Sequence, residues 1–163
     1  MKKLSSILVV IILLSALVGE ASQVVMHSIT GKVTRVSDGD TIWVTDKIGL
    51  RSKIRMDRID APEKDQEWGS ESTKYLSKLL YGRKVVVDYQ KRDQYGRILG
   101  IVKLGERDVN LEMVKTGNAW HYSYFDHTPA YIEAEKQAKD TKLGLWSKPN
   151  PINPYEWRKM HCE

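Results

Sequence analysis

Three short clusters of charged residues stand out as combinations that could handle a phosphate. The first is Asp38-Gly39-Asp40-Thr41, where two carboxylates flank a glycine at a strand junction. The second runs Arg55-Met56-Asp57-Arg58-Ile59-Asp60-Ala61-Pro62-Glu63. Here a strand ends in acid, and Pro62 forces a turn that leaves Asp60 and Glu63 on its loop side. The third is Asp93-Gln94-Tyr95-Gly96-Arg97, a turn leading into another strand. Taken singly, each is an ordinary polar turn. Taken together they say more. If neighbouring strands bring Asp40 and Asp60 side by side, the mutual repulsion calls for a cation or a proton. Ligands that are oxygen only favour a hard ion, Ca²⁺ or Mg²⁺. Arg55 and Arg97 add planar donors matched to phosphate oxygens. Carboxylates around a hard cation, two arginines and a spare glutamate are the components of phosphodiester hydrolysis. The metal and arginines offset charge developing at phosphorus, and Glu63 orients or deprotonates water.

Strands must supply the rigid positions. Val24–Val36 and Thr41–Thr45 are rich in Val, Ile, Thr and Trp and are separated by the turn residues Ser37-Asp38-Gly39. Asp46-Lys47-Ile48-Gly49 predicts a hairpin into a third strand, Leu50–Ile59. Tyr75, Leu76, Leu79 and Leu80 form the apolar stripe of a helix over roughly 68–81. Val85–Tyr89 and Ile98–Leu104 return to strand character. Asn110 is placed to cap a short helix, Leu111–Thr116, and Thr128-Pro129 opens another that runs to about Thr141. The tail, 147–163, holds Pro149, Pro151 and Pro154 and is expected to be extended. Five short strands interrupted by a helix make an α+β chain, with a small barrel as one solution.

The whole chain has 163 residues, 41% of them hydrophobic and 29% charged, with one cysteine. These values exclude collagen-like, low-complexity and disulfide-framework classes. The net charge of +5 suits a polyanionic partner without requiring one. Much of the apolar content lies at the front. Lys2 and Lys3 precede the aliphatic run Ile7–Leu14, and Gly19 and Ala21 sit as small residues before Ser22. Residues 1–21 therefore have the layout of a secretory signal peptide, with an uncleaved anchor as the competing reading. The apolar stretch Leu4–Val18 falls short of the roughly 20 residues that span a bilayer. Residues 22–163 form one domain, and removal of the leader takes the charge from +5 to +4. Cys162 has no partner within the chain and belongs to the tail.

The clusters also carry a resemblance. Asp38-Gly39-Asp40-Thr41-Ile42-Trp43-Val44, a gap, then Arg55-Met56 through Ile59-Asp60-Ala61-Pro62-Glu63 resembles the first signature of the thermonuclease (staphylococcal-nuclease-like) family. The segment from Asp93 to Lys103 is similar to the second, departing at Gln94, where a basic residue is usual, and at Lys103, where an aromatic one is. Gly117-Asn118-Ala119-Trp120, Lys142–Trp146 and Pro154-Tyr155-Glu156-Trp157-Arg158 extend the likeness over residues 28–158. The resemblance implies an OB-type five-stranded barrel with three α-helices. It also implies a Ca²⁺ site made by Asp40, Asp60 and the backbone carbonyl of Ala61. Arg55, Glu63 and Arg97 become the catalytic residues, with Tyr95 binding a terminal phosphate. Tyr122 and Tyr124 would stack bases from the same side of an extended segment. His121 and His127 are expected on the surface, and Lys136, Lys139 and Lys142 on a solvated helix face.

The implied activity is cleavage of DNA and RNA to products ending in 3′-phosphate, with single-stranded or unpaired substrate preferred. The enzyme is expected to be an exported monomer with no stable membrane partner. The competing reading is a noncatalytic nucleic-acid-binding module of the same fold, which has no chemical reason to keep all five of Asp40, Arg55, Asp60, Glu63 and Arg97.

Overall fold

A computed structural model describes residues 25–161. The expected leader and Cys162 lie outside the described residues. The strands are β1 (His27–Val36), β2 (Thr41–Thr45), β3 (Arg51–Met56), β4 (Ile59–Asp60), β5 (Lys84–Arg92), β6 (Ile98–Leu104), β7 (Arg107–Asp108) and β8 (Trp120–His121). The helices are α1 (Gly69–Leu80), α2 (Val109–Lys115), α3 (Pro129–Asp140) and α4 (Pro154–His161), with a 3₁₀ turn at Gly144–Ser147.

Alternation builds the barrel. In β2, Ile42 and Val44 are buried while the alternate residues Trp43 and Thr45 are partly exposed, as a sheet with one core face requires. Strands run in the order β3-β2-β1-β5-β6, antiparallel throughout. The parallel pairing of β3 with β6 (Ile54 with Ile98, Arg55 with Leu99) closes the circle. Closure leaves no free edge among these five strands. Bulges at Val33/Arg35 in β1 and Tyr89/Lys91 in β5 supply the bend. Val33, Ile42, Ile54, Met56, Val87, Ile98 and Val102 fill the interior, and Leu76 and Leu80 of α1 cap it. The α+β class and the five-stranded OB-type barrel are thus as expected.

Helix count is not. Among the described residues four α-helices form rather than three, because Pro154–His161 of the expected extended tail is helical. The cause is local: Asn153 Oδ1 accepts the Tyr155 N–H at 2.9 Å, and Pro154 occupies the first helical position. Three prolines mark the segment as extended, but the last of them starts a helix.

The cap of α2 also differs. Asp108 accepts the Leu111 N–H at 2.9 Å, while Asn110 lies inside the helix and is fully buried. Its amide accepts the Val102 N–H and donates to the carbonyls of Asp57 and Gly100, tying the β3–β4 turn to the barrel. Thr128 precedes α3 without capping it, and donates its hydroxyl to Asp126 instead. The third strand, expected over Leu50–Ile59, is split into β3 and β4 by Asp57 and Arg58, the latter at φ 66°. Among the described residues no helix is long and apolar enough to cross a membrane.

Candidate active site

Register places the site residues. β2 pairs with β3 so that Thr41 faces Arg55, which sets Asp40 beside the Arg55 guanidinium. β3 pairs with β6 so that Ile54 faces Ile98, which brings Arg97 to the same end of the barrel. β4 and β8 pair Asp60 with Trp120 and Ile59 with His121, and the Tyr122 N–H then donates to the Arg58 carbonyl at 2.8 Å. Asp40, Arg55, Asp60, Glu63, Arg97 and Tyr122 all line one open cleft of about 850 Å³.

Two glycines allow close approach. A Cβ at Gly39 would run into the Ser72 hydroxyl of α1 and, at 2.7 Å, into the Ala61 side chain. A Cβ at Gly69, the first residue of α1, would collide with the Glu63 carbonyl. Both glycines therefore let α1 press against the two acidic loops.

Asp40 and Asp60 do converge. Both are buried, at 7% and 1% exposure. Arg55 Nη2 bridges them, 3.2 Å from Asp40 Oδ2 and 2.9 Å from Asp60 Oδ1. Arg55 Nη1 donates to the carbonyls of Met56 and Ile59. The Ala61 N–H donates to Asp40 Oδ2 at 2.9 Å. Arg55 is thus tied into the carboxylate pair and its own turn. Arg97 is held differently: its Nε donates to Asp93 Oδ2 at 2.6 Å, a bond that does not engage the Nη groups. Asp93 also accepts the N–H groups of Tyr95 and Arg97. Burial pushes Asp93 upward, but these bonds prevail and hold it below the ordinary aspartate range.

Burial dominates the electrostatics of the acidic pair. Burial raises the Asp60 carboxyl against the pull of Arg158 and Arg55, with the Asp40 charge adding to the rise. Burial, and then Asp40, pushes Asp38 up to about 6. Two buried carboxylates offer oxygen donors of the kind a hard cation takes, although in this structure Arg55 and Arg158 engage them. Among the described residues no group of three or more His, Cys, Asp or Glu side chains gathers around a single point. Asp40 and Asp60 are the two carboxylates that Arg55 bridges in the cleft.

The aromatic wall differs from the expected one. Residues 121–125 do not continue as a strand: the chain turns, with the Phe125 N–H donating to the Tyr122 carbonyl. Tyr122 and Phe125 line the cleft with their rings 4.9 Å apart. Tyr124 is exposed next to the cleft, 5.3 Å from Tyr155, which lines it. Burial and the Asp60 charge raise the Tyr122 hydroxyl. Tyr95 lines the opposite side, largely exposed, with Arg97 over its ring at 5.4 Å.

His121 is a further correction. It is 4% exposed, not on the surface, and its Nε2 pairs with Asp126 Oδ2 at 2.9 Å. The β4–β8 pairing and the packing against Tyr131 of α3 bury it. His127 is exposed. The helix lysines Lys136 and Lys139 pair with Asp140 and Glu135, consistent with a solvated face. Lys103, in the position where an aromatic residue is usual, pairs with Asp88 across β5 and β6 at 2.8 Å.

Arg158 is the site residue that sequence reasoning passed over. From α4 its guanidinium forks onto Asp60, with Nη2 to Oδ2 at 2.9 Å and Nη1 to Oδ1 at 3.2 Å, and Nη1 reaches Glu63 Oε1 at 2.8 Å. The signal was present in the tail motif Pro154–Arg158, but nothing local connects it with carboxylates 95 and 98 positions away.

A closed mixed barrel with buried carboxylates and guanidiniums at one end defines a small OB-type barrel. The family model described as staphylococcal nuclease homologue matches residues 53–148, and the chain belongs to that family. The chain is 39% identical over 157 residues to a Haemophilus influenzae protein described as an uncharacterized endonuclease, an alignment covering 96% of this chain and 84% of that one. It is 43% identical over 136 residues to an Escherichia coli protein of the same description, covering 83% and 88%. To a micrococcal nuclease of Shigella flexneri it is 38% identical over 141 residues, covering 79% and 80%. The family-model match includes Arg55, Asp60, Glu63 and Arg97, whereas Asp40 and Arg158 fall outside it.

Proposed function

We propose that the chain is a Ca²⁺-dependent nuclease that hydrolyses phosphodiester bonds of DNA and RNA, leaving 3′-phosphate ends. The observation that carries this is the meeting of Asp40, Asp60, Glu63, Arg55 and Arg97 in one cleft, in a chain whose relatives are described as endonuclease and micrococcal nuclease. Asp40, Asp60 and the Ala61 carbonyl would hold the ion, which when bound would supply neutralisation of phosphate charge. Arg97 stabilises the charge that grows on the nonbridging oxygens, and Arg55 fixes the carboxylate pair and presents its edge to the same phosphate. Glu63 accepts a proton from the attacking water. The water oxygen bonds to phosphorus, the P–O5′ bond breaks, and the 5′ oxygen leaves and takes a proton from solvent water, while Glu63 returns its own proton to solvent.

Tyr122, Phe125 and Tyr155 form a wall on which unpaired bases can stack, which favours single-stranded or locally open substrate. The protein acts as a monomer and is exported, residues 1–21 being its cleaved leader. A plasmid and a single-stranded oligonucleotide incubated with Ca²⁺, Mg²⁺ or chelator test the reading. Cleavage with Ca²⁺ to 3′-phosphate products is expected. Binding without cleavage in every metal would establish the noncatalytic alternative, and full activity in chelator would remove the metal assignment. Export is tested by N-terminal sequencing of the processed protein, with Ser22 expected first.

A further inference from the structure

The motif Pro154–Arg158 is folded into the cleft with no role yet given to it. We propose that Arg158 is a positioning residue for phosphodiester cleavage: it clamps the Glu63 carboxylate at a fixed place relative to Asp60 and makes α4 a working part of the site. The inference rests on the nuclease reading and deepens it.

Glu63 needs such a clamp. Its side chain is 39% exposed and stands on a loop rather than on a strand. Among the described residues Arg158 is the one side chain that donates to its carboxylate. Without that donor, a glutamate in this position would sample several rotamers and be repelled by Asp60. The fork of Arg158 reaches both carboxylates at once, which a point charge could not do with the same geometry. It engages Glu63 Oε1 and leaves Oε2 without a donor among the described residues, free to take the proton of the attacking water.

The clamp has a second strut. The Glu63 N–H donates to Gln66 Oε1 at 3.0 Å, and Gln66 Nε2 donates to the Ile152 carbonyl at 2.6 Å. Gln66 is buried. Backbone and side chain of Glu63 are therefore both referenced to the same C-terminal segment, one at Ile152 and one at Arg158. That segment is itself held, with Pro154 buried and the Tyr155 ring against Tyr124.

The test uses the full chain and four variants: R158A, R158K, E63A and E63A/R158A, assayed on a single-stranded oligonucleotide with Ca²⁺. R158A is expected to lower kcat about 10²-fold, the scale of a misplaced reacting group, with KM little changed. R158K should fall between, since lysine keeps the charge and loses the fork. Adding R158A to E63A should lower kcat little further, because the arginine acts through the glutamate. Binding of the same oligonucleotide in chelator, read by anisotropy, should be the same for R158A and wild type.

Wild-type turnover by R158A, loss of affinity in place of turnover, or an undiminished effect of R158A in the E63A background would each overturn the proposal. If R158A does not fold, R158K decides, and an unaltered kcat there overturns it. If the wild-type chain cleaves neither DNA nor RNA, the nuclease reading fails. The clamp is then judged by the same cycle in thermal unfolding of the metal-free protein, where coupling between positions 63 and 158 sustains it and strict additivity overturns it.

Discussion

Glu63 and Arg97 occupy the cleft in ways that separate chemistry from stability. Glu63 is half-exposed, and Arg97 sits in a surface turn held by Asp93. Neither fills core volume, so removing either should leave the barrel standing. E63A is expected to lower kcat by about 10²–10⁴-fold, the range for a general base, and R97A by about 10²–10³-fold, the range for a charge-stabilising donor. Thermal unfolding of both should stay close to wild type, and steady-state cleavage with parallel melting curves checks the pair. Asp126 is the contrasting residue, structural and pH-sensitive. Burial pushes its carboxyl upward, but hydrogen bonds from Thr128 and His121, with Arg58 nearby, hold it below the ordinary aspartate value. Its contribution is therefore present above the unfolded value near 3.9 and disappears as pH falls through the lower folded value. Melting temperatures of wild type and D126N should differ at pH 5 and converge below about pH 3.9; an unchanged difference at pH 3 would contradict this.

At the scale of elements, α1 and the two acidic turns are packed together through glycines, so the backbone and not only side chains sets the carboxylate spacing. G39A places a methyl where the Ser72 hydroxyl and Ala61 side chain already stand. It is expected to destabilise by about 1–3 kcal/mol, as overpacking does, and to lower Ca²⁺ affinity by shifting Asp40. Denaturant unfolding and calorimetric titration measure the two effects. Most elements were legible. Thr41–Thr45 and Ile98–Leu104 start and end where β-branched residues and turn signals place them. The helix at Pro154 was not, although Asn153 before a proline is a start signal in its own right. A stretch with three prolines carries competing signals, and the helix is worth forming here because Arg158 and Tyr155 find partners in the cleft. His121 was misplaced for a related reason. Its burial depends on strand pairing with Ile59 and on α3, neither of which lies within the reach of local pattern.

On the scale of the whole molecule, the site draws on β2, the β3–β4 turn, the loop after Pro62, the turn before β6 and α4. A ligand that unites these parts should stabilise all of them together. Ca²⁺ at a hundredfold excess over its Kd is expected to add about 2.7 kcal/mol to unfolding stability, seen as a rise in Tm that E63A retains and D40N/D60N loses. No calcium-dependent rise in the wild type would count against Asp40 and Asp60 as ligands. The net charge of +5 fits a polyanionic substrate held by arginines around an acidic centre. The amino-acid sequence by itself determined the α+β class through alternation along strands, and its short-range motifs carried the family resemblance that implied the barrel and pointed to Asp40, Arg55, Asp60, Glu63 and Arg97. Tertiary structure alone decided that Arg158 meets Asp60 and Glu63, that Phe125 and Tyr155 line the cleft beside Tyr122, and that His121 is buried. Those outcomes depend on contacts between segments far apart in the chain, whose geometry exists only once the barrel has closed.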